Sequence, residues 1–194
     1  MNKDQVLAIF EECGALLKGH FILSSGRHAD TYLNKALVSR FPGPTETIGG
    51  ALAAMIGEGL QEKPTVVVAP AMGAILFGYE TARAMDLPFL YTERENGEFT
   101  FRRGFALEPG QKVIVVEDIV STGLSARECV EAVKKAGGVP LAVACIIDRS
   151  GGGAELGVPL LPLAELNIAS YPADDLPDHL KDVPAVKPGS RGLQ

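Results

Sequence analysis

Cysteine is scarce and odd in number: Cys13, Cys129 and Cys145 are the only three in 194 residues, and no CxxC occurs. All three sit inside apolar, periodic segments. This excludes a disulfide framework or a zinc ribbon and predicts buried, reduced thiols of a cytoplasmic protein. Basic charge is in deficit, with 18 Lys+Arg against 24 Asp+Glu and a formal net charge of −6. General nucleic-acid binders and anionic-membrane binders need a net basic face, so neither class fits. Any anionic ligand must therefore be held locally, by backbone amides, a few arginines or a metal. Long apolar runs are absent: residues 66–79 are broken by Pro70 and fall short of the about 20 residues that cross a bilayer. The opening Met1-Asn2-Lys3-Asp4-Gln5 leads into an amphipathic pattern, not a signal peptide. Internal repeats and low-complexity tracts are missing, as are GxGxxG and GxxxxGK(S/T), the fingerprints of generic nucleotide-binding α/β proteins.

What is present is a globular chain. Hydrophobic residues make up 46% and charged residues 22%, too apolar for disorder, and the length suits one domain with a sizeable core. Residues 4–17 place Val6, Ile9, Phe10, Cys13, Leu16 and Leu17 at helical spacing. An irregular stretch is expected over 19–35, and helix again after Pro44. Thr65-Val66-Val67-Val68-Ala69 then reads as a buried strand, 73–85 as a helix and 88–92 as a strand. Asn96-Gly97 marks a two-residue hairpin turn leading into Phe99-Thr100-Phe101-Arg102-Arg103. A strand over 112–116, a helix over 122–136 and a strand over 140–147 follow. The tail from Ser170 reads as loop with one helical turn. Continuously apolar strands alternating with helices predict an α/β fold, a doubly wound, mostly parallel sheet covered on both faces. One domain, 1–194, is expected, with an N-terminal region (1–60), an α/β core (61–150) and a C-terminal strand and tail (151–194).

In such folds ligands sit at the carboxyl ends of strands. One such end reads Val113-Ile114-Val115-Val116-Glu117-Asp118-Ile119-Val120-Ser121-Thr122-Gly123-Leu124-Ser125. Two adjacent acids close an apolar run, and a small, hydroxyl-rich loop opens a helix. Backbone N–H groups at a helix N-terminus form an anion site. Thr122 and Ser125 add hydroxyls, and Gly123 lets the backbone close on a phosphate. Glu117 and Asp118 suit vicinal sugar hydroxyls, or a divalent cation reached through water. The plain structural alternative is a capped helix with surface acids.

This segment resembles the phosphoribosyl-pyrophosphate motif of the type I phosphoribosyltransferases: four apolar residues, two acids, two apolar residues, then Thr-Thr-Gly-x-Ser or close variants. Three further stretches are similar to the orotate phosphoribosyltransferase family, in a Thermus-type bacterial branch. They are residues 19–34, like that family's base-covering hood, Ile146-Ile147-Asp148-Arg149, and the tail Val186-Lys187-Pro188-Gly189-Ser190-Arg191. The resemblance implies the type I phosphoribosyltransferase fold and transfer of a phosphoribosyl group to orotate. It places the ribose and 5-phosphate of phosphoribosyl pyrophosphate on Glu117, Asp118, Ile119, Val120, Ser121, Thr122, Gly123, Leu124 and Ser125, and the pyrophosphate on Ala71, Met72 and Gly73. Orotate falls to Ser121 and Arg149, with Arg27 a second candidate; an Arg149–Asp148 pair is the bland alternative. Tyr32 either covers the pyrimidine or packs in the core. Asp118, with Arg94, Arg102 and Arg103 on a mobile loop at 93–104, makes up the implied catalytic set. The resemblance further implies that this loop acts across a homodimer and that Mg²⁺ is held mainly by substrate and water, with no direct protein ligand. Pairing of these arginines with Glu93, Glu95 and Glu98 is the competing reading.

The chain also departs from the family pattern. Ser24 and Gly73 stand where the family has lysines, and the 93–104 loop is short and lacks lysine and histidine. Leu176-Pro177-Asp178-His179 stands where the branch often has a CPxC pair. His20, His28 and His179 show no ligand spacing and are read as loop or surface residues. The rival readings are a purine or uracil phosphoribosyltransferase and a regulator that senses phosphoribosyl pyrophosphate. A neutral base gives no reason for Arg149, and a regulator usually adds a DNA-binding domain that these residues do not suggest.

Overall fold

The computed structural model describes residues 1–23 and 25–188. Ser24 and the Gly189-Ser190-Arg191 end of the tail motif lie outside the described residues. In chain order the elements are α1 (Lys3–Glu12), β1 (Leu16–Ile22), β2 (His28–Leu33), α2 (Lys35–Ser39), α3 (Pro42–Gly59), β3 (Val66–Pro70), α4 (Ile75–Met85), β4 (Phe89–Glu95), β5 (Glu98–Phe101), β6 (Lys112–Val120), α5 (Leu124–Lys135), β7 (Val139–Asp148), β8 (Leu160–Glu165) and α6 (Asp178–Lys181).

Six strands form one sheet in the order β5-β4-β3-β6-β7-β8. Every pairing is parallel except the β4–β5 hairpin, which the Asn96-Gly97 turn closes. Strand periodicity divides the core into two layers. Val67, Ile114, Val116, Ala142, Ala144 and Ile146 face one side, with Val6 and Phe10 of α1, Ile48, Leu52 and Ile56 of α3, and Phe77 of α4. Val66, Val68, Val113, Val115, Val143 and Cys145 face the other, against Cys129, Val130 and Val133 of α5. Most of these side chains are fully buried, and each such Val, Ile, Leu or Phe contributes about 1.5–3 kcal/mol. The three cysteines are free and buried, and burial pushes the thiols of Cys129 and Cys145 up.

The crossovers decide where a ligand fits. From β3 the chain passes through α4 to β4, outward on one side. From β6 it passes through α5, on the opposite face, to β7 on the other side. The β3–β6 junction is thus the topological switch point, where a crevice opens at the carboxyl ends of the strands.

Four expectations need correction. The first helix ends at Glu12, because the chain turns at Cys13-Gly14, and Leu16 and Leu17 begin β1. Residues 19–35 are not irregular: β1 and β2 pair antiparallel as a separate small sheet. The tail stitches onto it through bridges from Val186 to Phe21 and from Tyr171 to His28. The acids do not end β6, which pairs with β7 as far as Val120 opposite Asp148. Finally, His20 is not a surface residue. It is buried, its Nδ1 2.8 Å from the carbonyl oxygen of Val183 and its Nε2 2.6 Å from Nδ1 of His28. Among the described residues no helix is long and apolar enough to cross a membrane.

Candidate active site

Three neighbouring strand ends build the site. β3 ends at Pro70 and turns through Ala71, Met72 and Gly73 into α4; the Ala71–Met72 peptide bond is cis. β6 carries Glu117 and Asp118, then Ile119 and Val120, before bending at the exposed Ser121 and Thr122. β7 ends at Asp148, and the next residue, Arg149, is tied to the end of β6 by its N–H to the Val120 carbonyl at 2.7 Å. The 71–73 loop, the 117–125 loop and Arg149 therefore lie along adjacent strands.

Close packing, and not sequence taste, requires the glycines at two of these positions. Gly123 is the N-cap of α5 with φ +76, and a Cβ there would come within 2.8 Å of Leu156 Cδ2 and 3.0 Å of Ala154 Cβ. No side chain caps α5; Thr122 Oγ1 reaches only the Leu124 N–H, at 3.4 Å. The remaining first-turn N–H groups face outward at the positive end of the helix dipole, which favours an anion. Lys134 and Lys135 complement the dipole at the other end. A Cβ on Gly73 would overlap Asp118 Oδ2 and approach Lys35 Cε to 3.1 Å.

The acids themselves are withdrawn from solvent. Glu117 is 6% exposed and Asp118 3%. Burial, reinforced by the Asp118 charge, pushes the Glu117 carboxyl well above the usual glutamate range. One of its oxygens accepts the Asp118 N–H at 2.9 Å. Asp118 is met by Lys35, whose Nζ lies 2.9 Å from Oδ2 and 3.1 Å from Oδ1. Burial lowers the Lys35 pKa, but Asp118, with Glu117 behind it, more than offsets this and leaves the lysine above its ordinary value. Lys35 was missed in the sequence. It stands 83 residues from Asp118 at the start of a five-residue helix, with no motif around it. The one signal was the absence of a cation at Gly73.

Arg149 does not pair with Asp148, which instead accepts the Ser150 N–H at 2.7 Å. Its Nε is buried without a hydrogen-bond partner among the described residues, and burial holds the guanidinium below its ordinary pKa. Tyr32, on β2, lies near both Arg149 and Lys35, and its ring packs 5.7 Å from that of Phe21. Arg27 is exposed and engaged elsewhere, donating from Nε to Ser170 Oγ at 2.8 Å and from Nη2 to the Ser170 carbonyl.

The hairpin arginines sit apart from this cluster and are paired. Arg103 makes a two-pronged contact with Glu93 at 2.7 and 2.9 Å. Arg102 meets Glu95 at 3.4 Å. Arg94 pairs with Glu128 of α5 and lies 4.2 Å over the ring of Phe99. Glu98 takes Lys135 instead of an arginine.

Comparison with known proteins follows the same line. The phosphoribosyl transferase domain model matches residues 44–156, the stretch holding both strand-end loops and Arg149. The chain is 58% identical to an orotate phosphoribosyltransferase of Maricaulis maris and 54% identical to one of Caulobacter vibrioides, in each case over 100% of both chains. The crystal structure of orotate phosphoribosyltransferase from Aeropyrum pernix superposes with a TM-score of 0.69 at 24% identity, over 83% of this chain and 93% of that one. The Mycobacterium tuberculosis enzyme in complex with inorganic phosphate gives 0.66 at 26% identity, over 84% and 96%. With crevice, acidic strand end and full-length identity in agreement, the chain belongs to the orotate phosphoribosyltransferase family.

Proposed function

We propose that this chain transfers the 5-phosphoribosyl group of phosphoribosyl pyrophosphate to orotate, giving orotidine 5′-monophosphate and pyrophosphate for pyrimidine biosynthesis. It acts as a Mg²⁺-dependent cytoplasmic homodimer. The observation that carries the substrate reading is the buried Nε of Arg149, which has no partner among the described residues, on a residue whose backbone N–H is bonded to Val120. A buried guanidinium donor without an acceptor is costly unless a ligand completes it. Orotate offers a planar carboxylate and carbonyl oxygens that match a guanidinium fork; a neutral purine offers no such anion.

The rest of the mechanism follows from charge. Displacement at C1 of the ribose passes through an oxocarbenium-like state, so positive charge grows on the sugar and negative charge on the departing diphosphate. Asp118 accepts the ribose hydroxyls and sets a carboxylate beside the cationic ring, with Glu117 next to it. The uncapped α5 N-terminus, with Thr122 and Ser125, receives the 5-phosphate, and the 71–73 backbone faces the diphosphate. Orotate N1 attacks C1 directly, and no enzyme side chain becomes bonded to the sugar. Among the described residues no group of three or more His, Cys, Asp or Glu side chains is arranged to hold a metal. Glu117 and Asp118 would hold a Mg²⁺ through water, with substrate oxygens as its other ligands. When bound, Mg²⁺ neutralises charge on the diphosphate.

An apolar stripe beside the 71–73 loop supports the homodimer: Met72 is 81% exposed, Leu76 50% and Tyr79 53%, at helical spacing. Burying it against a second copy suits the proposal that Arg94, Arg102 and Arg103 of the 93–104 loop serve the neighbouring subunit's site. Free, buried thiols suit the cytoplasm. The test is loss of orotate absorbance, expected only when Mg²⁺ and phosphoribosyl pyrophosphate are both supplied. Consumption of adenine, hypoxanthine or uracil with orotate untouched would overturn the reading.

A further inference from the structure

The Lys35 ammonium occupies an unusual position. It bridges both oxygens of Asp118, while its Cε comes within 3.1 Å of where a Cβ on Gly73 would stand, a place that Asp118 Oδ2 already blocks. It therefore lies beside both the loop that would face the diphosphate and the acid that would face the ribose. Ala71, Met72 and Gly73 bring no cation of their own. The hairpin arginines are each held by a glutamate in this chain, and Arg149 lies at the end of a different strand, beyond β6. Asp118, 4% exposed at its side chain and beside buried Glu117, needs a counter-charge while no sugar hydroxyls engage it.

The geometry points to Lys35 as a further catalytic residue of the proposed reaction, on which this inference rests: its ammonium contacts the diphosphate leaving group. In the free enzyme it pairs with Asp118. When the ribose hydroxyls take over that carboxylate, the ammonium turns to the diphosphate oxygens on the 71–73 side. As the C1–O bond breaks, its electron pair leaves with the diphosphate oxygen, and the new bond forms to C1 from orotate N1, whose proton passes to water. Lys35 keeps its proton throughout and donates hydrogen bonds to the charge that builds.

Binding of inorganic pyrophosphate with Mg²⁺, measured by calorimetry on the full-length protein, tests this alongside steady-state kinetics. Lys35→Ala should weaken pyrophosphate binding about ten- to a hundredfold, the loss of one charge-assisted contact. It should lower kcat while leaving the orotate KM nearly unchanged, and Lys35→Arg should recover part of both. Asp118→Asn separates contact from mere positioning and guards against a misfolded single variant. If Lys35 touches pyrophosphate, Asp118→Asn retains the affinity and adding Lys35→Ala removes it. Equal pyrophosphate affinity in the two, or wild-type affinity in a folded Lys35→Ala protein, overturns the assignment. If the wild-type preparation fails to consume orotate, the functional reading itself falls, and this residue's role with it. Turnover in wild type with unaltered pyrophosphate binding in Lys35→Ala sinks the role of Lys35 alone.

Discussion

Two regions of this molecule are rich in charge, and they treat it in opposite ways. At the strand ends, Glu117 and Asp118 are buried side by side with Lys35 paired to Asp118, and Arg149 keeps a buried nitrogen without a partner among the described residues. On the β4–β5 hairpin, Arg94, Arg102 and Arg103 are exposed, and each has its own glutamate. Exposed pairs of that kind contribute little to stability, because water already solvates both ions. Buried, incompletely matched charges carry a desolvation cost that a fold retains when something outside the chain completes them. The contrast teaches where to look for chemistry: not where charges are most numerous, but where they are least satisfied.

The sharpest way to break the comparison is Asp118→Asn, which keeps shape and removes charge. Turnover should fall by about two to three orders of magnitude, the scale seen when an electrostatic group in a water-excluded site is deleted, with circular dichroism unchanged. Near-normal kcat would mean that the buried acids are structural. Next in size, Arg149→Ala should raise the orotate KM about ten- to a hundredfold and leave the KM for phosphoribosyl pyrophosphate close to wild type. An unchanged orotate KM would return Arg149 to the list of ordinary half-buried arginines.

The hairpin supplies the converse test. Replacing Arg94, Arg102 and Arg103 together by alanine should alter Tm little, since these are surface pairs. If the hairpin serves the partner's site, turnover should drop several-fold, and mixing this variant with Asp118→Asn should give activity above that of the two variants assayed separately. Unaltered turnover would sharpen the contrast to its limit, leaving the hairpin charges only the glutamates they already face.

The same division explains what the sequence revealed. β3, β6 and β7 were legible because strands buried on both faces are written as unbroken apolar runs, and the Asn96-Gly97 hairpin because its turn chemistry is local. The strand-end loop was legible because its acids, hydroxyls and glycine are contiguous. The small β1–β2 sheet was not. Leu16 and Leu17 continue the helical spacing of α1, and what makes β1 a strand is pairing with β2 and with Val186 far along the chain. His20 is buried for the same reason, its acceptor being the Val183 carbonyl. β6 looked shorter than it is because the apolar signal stops at Val116 while backbone pairing continues to Val120. Lys35 was signalled only by the missing cation at Gly73, because its meaning depends on Asp118 and Gly73, each in a different part of the chain.

The smallest predicted effect concerns stability and runs opposite to activity. Burial raises the Glu117 carboxyl well above its unfolded value. Between those two values the folded chain holds a proton that the unfolded chain has released, so stability falls as pH rises through that window. Below the ordinary glutamate range both states are protonated, and Glu117→Gln should match wild type there. As pH climbs, wild type should lose ground while the glutamine variant, with nothing to ionise at this site, does not, and their Tm values should separate. Each kcal/mol relieved corresponds to about 2–4 °C for a chain of this size. The variant should meanwhile turn over more slowly, having lost a carboxylate beside the sugar. A gap in Tm that stays constant with pH would show that Glu117 bears no ionisation penalty, and the strand end would then resemble the hairpin, its charges already satisfied by the fold.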